Sequence, residues 1–221
     1  MTFWEYLGDH RQQLLTDACR HAAAVFTCTV AAAVLGVLVA VVVHRSARAG
    51  GLAAAAGPSL SAVPVLAVFG LLVPVVGLGL PPTVLALTLC GLLPVARSAV
   101  VGLRGIDPAL VDAAGGVGLS RPARLVRVEL PLAWPSVLAG MRAATRLLMG
   151  VAAVAACVSG PGLGNPILRG ITSPDSGDAL PQVLAGTLGI VVLALLFDAA
   201  YVLVGRLRHG YPRARSAARP G

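Results

Sequence analysis

From residue 49 to residue 96 not one charged side chain occurs, and residues 22–43 form a second such stretch. A helix needs about 20 apolar residues to cross about 30 Å of hydrocarbon. The shorter stretch meets that requirement once. The longer one exceeds it and is interrupted at Gly77-Leu78-Gly79-Leu80-Pro81-Pro82, which predicts two helices joined by a tight turn. Pro58, Pro64 and Pro74 fall in the first of these two. A kinked helix packed against neighbours is expected, because adjacent segments satisfy the carbonyls that proline leaves free. Further spans are expected over about residues 135–158 and 180–204. Of the 221 residues 57% are apolar and only 12% charged, too little polar surface for a soluble domain. The fold class expected is all-α: a polytopic helical membrane protein with about five transmembrane helices.

The net charge of +8 raises the question of nucleic acid. The arginines lie beside apolar spans and are not interleaved with aromatics, the pattern of a membrane protein whose basic loops stay in the cytoplasm. No nucleic-acid partner is expected. All arginines except Arg11, Arg20 and Arg169 fall on one side of the predicted spans, placing the N-terminus outside and the C-terminus inside. Residues 1–21 are expected to form an external segment, with Phe3, Trp4, Tyr6, Leu7, Leu14 and Leu15 on the outer lipid interface. Glu5, Asp9 and Asp17 stand beside Arg11 and Arg20, unlike the basic start of a cleaved signal, so the first span is expected to be retained. Residues 206–221 form a basic cytoplasmic tail.

Catalytic and metal chemistry find little footing. Cys19, Cys28, Cys90 and Cys157 are far apart, and His10, His21, His44 and His209 have no ligand-spaced companion; buried, inert thiols and solvated or interfacial imidazoles are expected. No metal and no cofactor is expected. An intramembrane enzyme would need paired carboxylates, a Ser/His pair or a metal motif within the spans, whereas Asp198 stands alone near the end of the last one. Arg142 and Arg146 lie one turn apart on a common helix face and read as snorkelling anchors; the functional alternative is a partner contact or a closing gate. The phosphate-cradling G-x-x-x-x-G-K-[ST] pattern does not occur, so ATP-driven work would need a partner.

The longest polar connection, residues 104–134, is patterned. Asp107-Pro108 starts a helix, since Asp caps free N–H groups and Pro fits the first turn; that helix should end at Gly115-Gly116. Ser120 can cap a second helix through Arg127, after which Leu130-Pro131 should turn the chain towards the fourth span. Asp112-Ala113-Ala114, then Gly118 after three residues, then Val128-Glu129-Leu130-Pro131 after nine, resembles the E-A-A-x-x-x-G…I-x-L-P signature of ABC importer permeases, with Asp for Glu and Val for Ile. The resemblance extends over roughly residues 3–205. It includes Ser61-Ala62-Val63-Pro64, Leu93-Pro94-Val95-Ala96-Arg97-Ser98, Gly140-Met141-Arg142, and Ser159-Gly160-Pro161-Gly162-Leu163-Gly164 followed by Arg169-Gly170-Ile171. Together these are most similar to permeases for osmoprotectants, with Ser98-Ala99 where that group carries Asn-Thr and Pro161 inside its glycine run.

The resemblance implies a permease without catalytic residues in the bacterial cytoplasmic membrane, carrying glycine betaine, carnitine or choline; amino acids or another small solute are the alternative cargo. It implies a pair of ATP-binding subunits, a second permease (identical or related) and an extracytoplasmic substrate-binding protein as partners, with lipid around them. It assigns the ATPase-coupling role to Asp112, Ala113, Ala114, Gly118, Leu130 and Pro131. Gly162, Gly164 and Arg142 are candidates for a gate or an outer docking surface. Gly118→Asp or Ala114→Arg is expected to abolish uptake while leaving the chain in the membrane. With nine aromatics there is little material for an ammonium cage, so selection is expected in the binding protein.

Overall fold

Four helices of the computed structural model are long and apolar enough to cross a bilayer; the structure describes residues 2–44 and 64–208. In chain order the helices are α1 (Phe3–Asp9), α2 (Arg11–Val43), α3 (Val65–Val76), α4 (Leu80–Arg104), α5 (Pro108–Gly116), α6 (Arg121–Arg124), a π turn (Leu125–Glu129), α7 (Leu130–Val154), a 3-10 turn (Ala155–Val158), α8 (Gly164–Thr172) and α9 (Ala179–Arg208). The all-helical expectation holds. Of the five expected spans, the second is partly outside the described residues, as are Pro58, the 61–63 motif residues and the tail from residue 209. Its described part, α3, has 12 residues, about 18 Å at the helical rise. The break between the second and third spans is where the sequence placed it: Gly77 and Gly79 take φ of 81° and 98°, and Pro81 and Pro82 occupy the first turn of α4.

Two boundaries differ from expectation. Residues 11–21 are continuous with the first span, so α2 has 33 residues, about 50 Å of helix, and only α1 is a separate surface element. A Thr2–Glu5 capping box starts α1, Trp4 is exposed and Tyr6 is buried. Leu130-Pro131 does not turn the chain; Arg121–Val158 is one 38-residue rod. Proline ordinarily frees and crowds the carbonyl four residues back. Here the π turn directly precedes it, with the Leu130 N–H reaching the Leu125 carbonyl, so the wider turn absorbs the mismatch without ending the helix.

The core is the packing of α2, α4 and α7. Lipid supplies no strong hydrophobic drive between helices, so close approach through small residues matters. A Cβ on Gly140 would stand 2.7 Å from that of Ser98, and one on Gly102 equally near Ser136; Ser98 and Gly102 on α4 face Gly140 and Ser136 on α7 in a reciprocal pair. Gly36 and Gly91 give α2 the same access to α4. One apolar cluster, with Val25, Phe69, Leu87 and Leu148, fills the half of the bundle nearer α1. Another, with Ala40, Ala99, Leu103, Ala133 and Val137, fills the half nearer α5 and takes in Ile106, Leu125, Leu130 and Trp134. Helix α9 packs on the rim of the first cluster through Ile190, Leu193, Ala194 and Phe197, and its most apolar window contains no buried residue.

Candidate functional site

Residues 104–134 form a two-helix cap on one end of the bundle. As expected, Asp107 caps α5, its Oδ1 accepting from the Ala109 N–H at 2.9 Å, and Pro108 fills the first turn. Gly118 turns the chain at φ 85°, with its N–H donating to the Gly115 carbonyl. Ser120 takes the N-cap position of α6 without a side-chain capping bond. Asp112 and Ala113 are exposed, as are Gly116 and Val117, whereas Ala114 is buried. On α5 Ala109, Leu110, Asp112 and Ala113 are exposed, as is Val117 just past its end, and Ala114 is a packing residue of the loop itself. Leu130 belongs to the apolar cluster beneath, and Pro131 is exposed.

Polar contacts tie this cap to the spans. Arg124 Nε donates to Glu129 Oε1 at 3.3 Å, and its Nη1 reaches the Val111 carbonyl of α5 at 3.5 Å. Glu129 is 4% exposed and lies 3.5 Å from His44 Nε2 at the end of α2. Arg104, at the end of α4, donates to the His44 carbonyl at 2.9 Å. In the sequence Glu129 stands only as a variable position of the Val128-Glu129-Leu130-Pro131 motif, and His44 as a solvated or interfacial imidazole; the structure places His44 against the buried Glu129.

At the opposite end, Gly162 and Gly164 are buried. A Cβ on Gly162 would meet His21 at 2.8 Å, and one on Gly164 would collide with the Ala153 carbonyl. Both glycines permit close packing of this loop on its own bundle; the exposed stretch there is residues 171–177. Asn165 donates to the Gly160 and Gly162 carbonyls, each at 3.0 Å. Burial pushes the nearby Tyr6 phenol up from its ordinary range, against a smaller opposing effect of Arg169.

Arg142 and Arg146 do not project separately to an interface. Both clamp Asp198 of α9: Arg142 Nε donates to Oδ1 at 2.6 Å with Nη2 on Oδ2, and Arg146 Nε donates to Oδ1 at 2.9 Å. They line an open cleft of about 540 Å³ with Tyr201 and Arg206. The Tyr201 hydroxyl is 3.0 Å from Thr145 Oγ1, itself 3.3 Å from Thr29 Oγ1, so polar groups join α9 to α7 and α7 to α2. Cys28 is buried, as expected, but Cys19 and Cys157 are exposed, which corrects that reading for those two.

Residues 32–209 match the family described as binding-protein-dependent transport system inner membrane component. The choline transport system permease protein of Bacillus subtilis is 32% identical over 90% of this chain and 89% of its own length. The carnitine transport permease protein of Listeria monocytogenes is 34% identical over 79% of this chain and 75% of its own. Among solved structures, the inward-facing MetNI methionine ABC transporter superposes with a TM-score of 0.75 at 19% identity, covering 90% of this chain and 97% of the matched one; that likeness is one of fold.

Proposed function

Because the chain belongs to the family of binding-protein-dependent transport system inner membrane components, we propose that it carries quaternary ammonium osmoprotectants, glycine betaine, carnitine or choline among them, into the cell. It is the permease subunit of an ABC importer in the bacterial inner membrane, and the family implies an ATP-binding subunit and a substrate-binding protein as partners. The observation that supports the cargo is the similarity, over most of the chain, to permeases named for choline and carnitine.

In this reading residues 104–134 face the cytoplasm and the N-terminus faces outward, the orientation that the arginine distribution favours. Asp112, Ala113 and Val117 seat the short α5 in a groove of the ATPase, where small side chains permit close approach. A pair of ATP-binding subunits and a second permease complete the importer. The lipid- or partner-facing α9, with its open apolar face, supplies the surface against which that second permease packs. Alternating access is then a rocking of the two permease halves driven from the loops. Among the described residues the ring contacts, Phe3–Trp4 and Tyr6–His10, lie at α1 and its end; the chain's nine aromatics are little material for an ammonium cage, which favours selection by the binding protein. Calorimetric titration of the associated binding protein with glycine betaine, carnitine and choline tests the cargo. Saturable binding of at least one supports it; binding of an amino acid and none of these replaces it with the alternative.

A further inference from the structure

Glu129 is a carboxylate held almost without solvent, at the last position of a π turn. Burying a charge is unfavourable unless it is paired, and its partners include Arg124, five residues back on the same rod, and His44 at the end of α2. Through Arg124 the carboxylate is joined to the Val111 carbonyl of α5, and through the His44 carbonyl to Arg104 of α4. The chain of contacts thus runs from the loop helix that carries Asp112 to the ends of α2 and α4, while Glu129 itself continues directly into α7. The π turn places it there: an extra residue in the turn changes which side of the rod residue 129 occupies, and such turns concentrate at functional positions. Beneath it, Ile106, Leu125, Leu130 and Trp134 pack on the apolar cluster shared by α2, α4 and α7.

We infer that Glu129 is a positioning residue for energy coupling, a buried ionic knot that makes α5 and the ends of α2, α4 and α7 move as one body when the ATPase closes. This rests on the reading of residues 104–134 as the ATPase-coupling loop. Without the knot, motion delivered to α5 reaches α7 along the rod and α4 through residues 105–107, but is lost to α2.

The test uses the importer assembled with its ATPase, in a chain whose four cysteines are replaced by serine. Spin labels go on Val42→Cys, 78% exposed, and on Ala109→Cys, exposed in the first turn of α5 and outside the residues assigned to docking. In the parent the label distance is the same without nucleotide and with ATP trapped. In Glu129→Gln and in Arg124→Gln it matches the parent without nucleotide and shifts or broadens with ATP. Uptake of a mixture of glycine betaine, carnitine and choline per ATP hydrolysed falls at least about fivefold in the two Gln variants, a loss in the usual range of coupling between sites. The inference is overturned if the Gln variants keep the parent distance in both states. It is equally overturned if they are altered before ATP is added or fail to assemble, since the knot then only holds the fold. Ala113→Arg separates the two claims: if it still binds the ATPase, the coupling-loop reading fails, whatever Glu129 does. If the parent takes up none of the three solutes, the cargo reading fails and the distance measurement still decides the knot.

Discussion

Two arginines one turn apart were visible in the sequence as a shared helix face, yet their partner was not, because Asp198 is 56 residues beyond Arg142 and nothing local links them. A charged group within an apolar span is retained only if it is paired or reaches water, and here one carboxylate answers both cations. Asp198→Asn removes that answer and leaves two cations facing each other. The expected outcome is a several-fold lower yield of folded protein in detergent by fluorescence-detected size exclusion, partly recovered in Asp198→Asn with Arg146→Gln. Glycine roles divide in the same way. The turn at Gly118 was legible because a small residue between two short helices has few other uses. The pairing of Gly140 with Ser98 was not, because it depends on which helix lies opposite. Gly140→Val forces atoms into a gap that is already closed and should cost about 1–3 kcal/mol, the usual range for overpacking, measured as a lowered thermal midpoint of the purified chain.

Helix α5 was predicted to within its cap, since Asp107-Pro108 at one end and paired glycines at the other are local signals that tertiary packing did not override. The rod from Arg121 to Val158 was predicted to break at Pro131, and the π turn that carries it through has no comparable local signature. The start of α2 was also misplaced: the polar residues 11–21 mark where the helix leaves hydrocarbon, not where it ends, and hydropathy reports only the former. Burial changes which substitution tests docking. Ala114 is turned inward, so Ala114→Arg would disrupt the loop itself. Ala113 is exposed, and Ala113→Arg should leave the circular dichroism and membrane content unchanged while lowering the affinity for the ATPase by at least about tenfold, the loss expected from wedging a large cation into a packed contact.

For the whole molecule, the number of long apolar stretches and the placement of arginine carried most of what the sequence revealed, because a bilayer leaves only helices as spanning elements in a chain of this pattern. Orientation gives a direct check. Ser173 in the α8–α9 connection and Gly116 at the end of α5 are both exposed. With the native cysteines replaced, a membrane-impermeant maleimide should label Ser173→Cys in intact cells and Gly116→Cys only after the membrane is opened. The opposite pattern would invert the arrangement of the whole bundle. The central claim is that an ATPase drives this permease through residues 104–134, and the most direct measurement is copurification of the ATP-hydrolysing subunit with the tagged chain. The parent should retain it and the correctly inserted Ala113→Arg chain should not; equal retention by both, with uptake intact, would contradict the account.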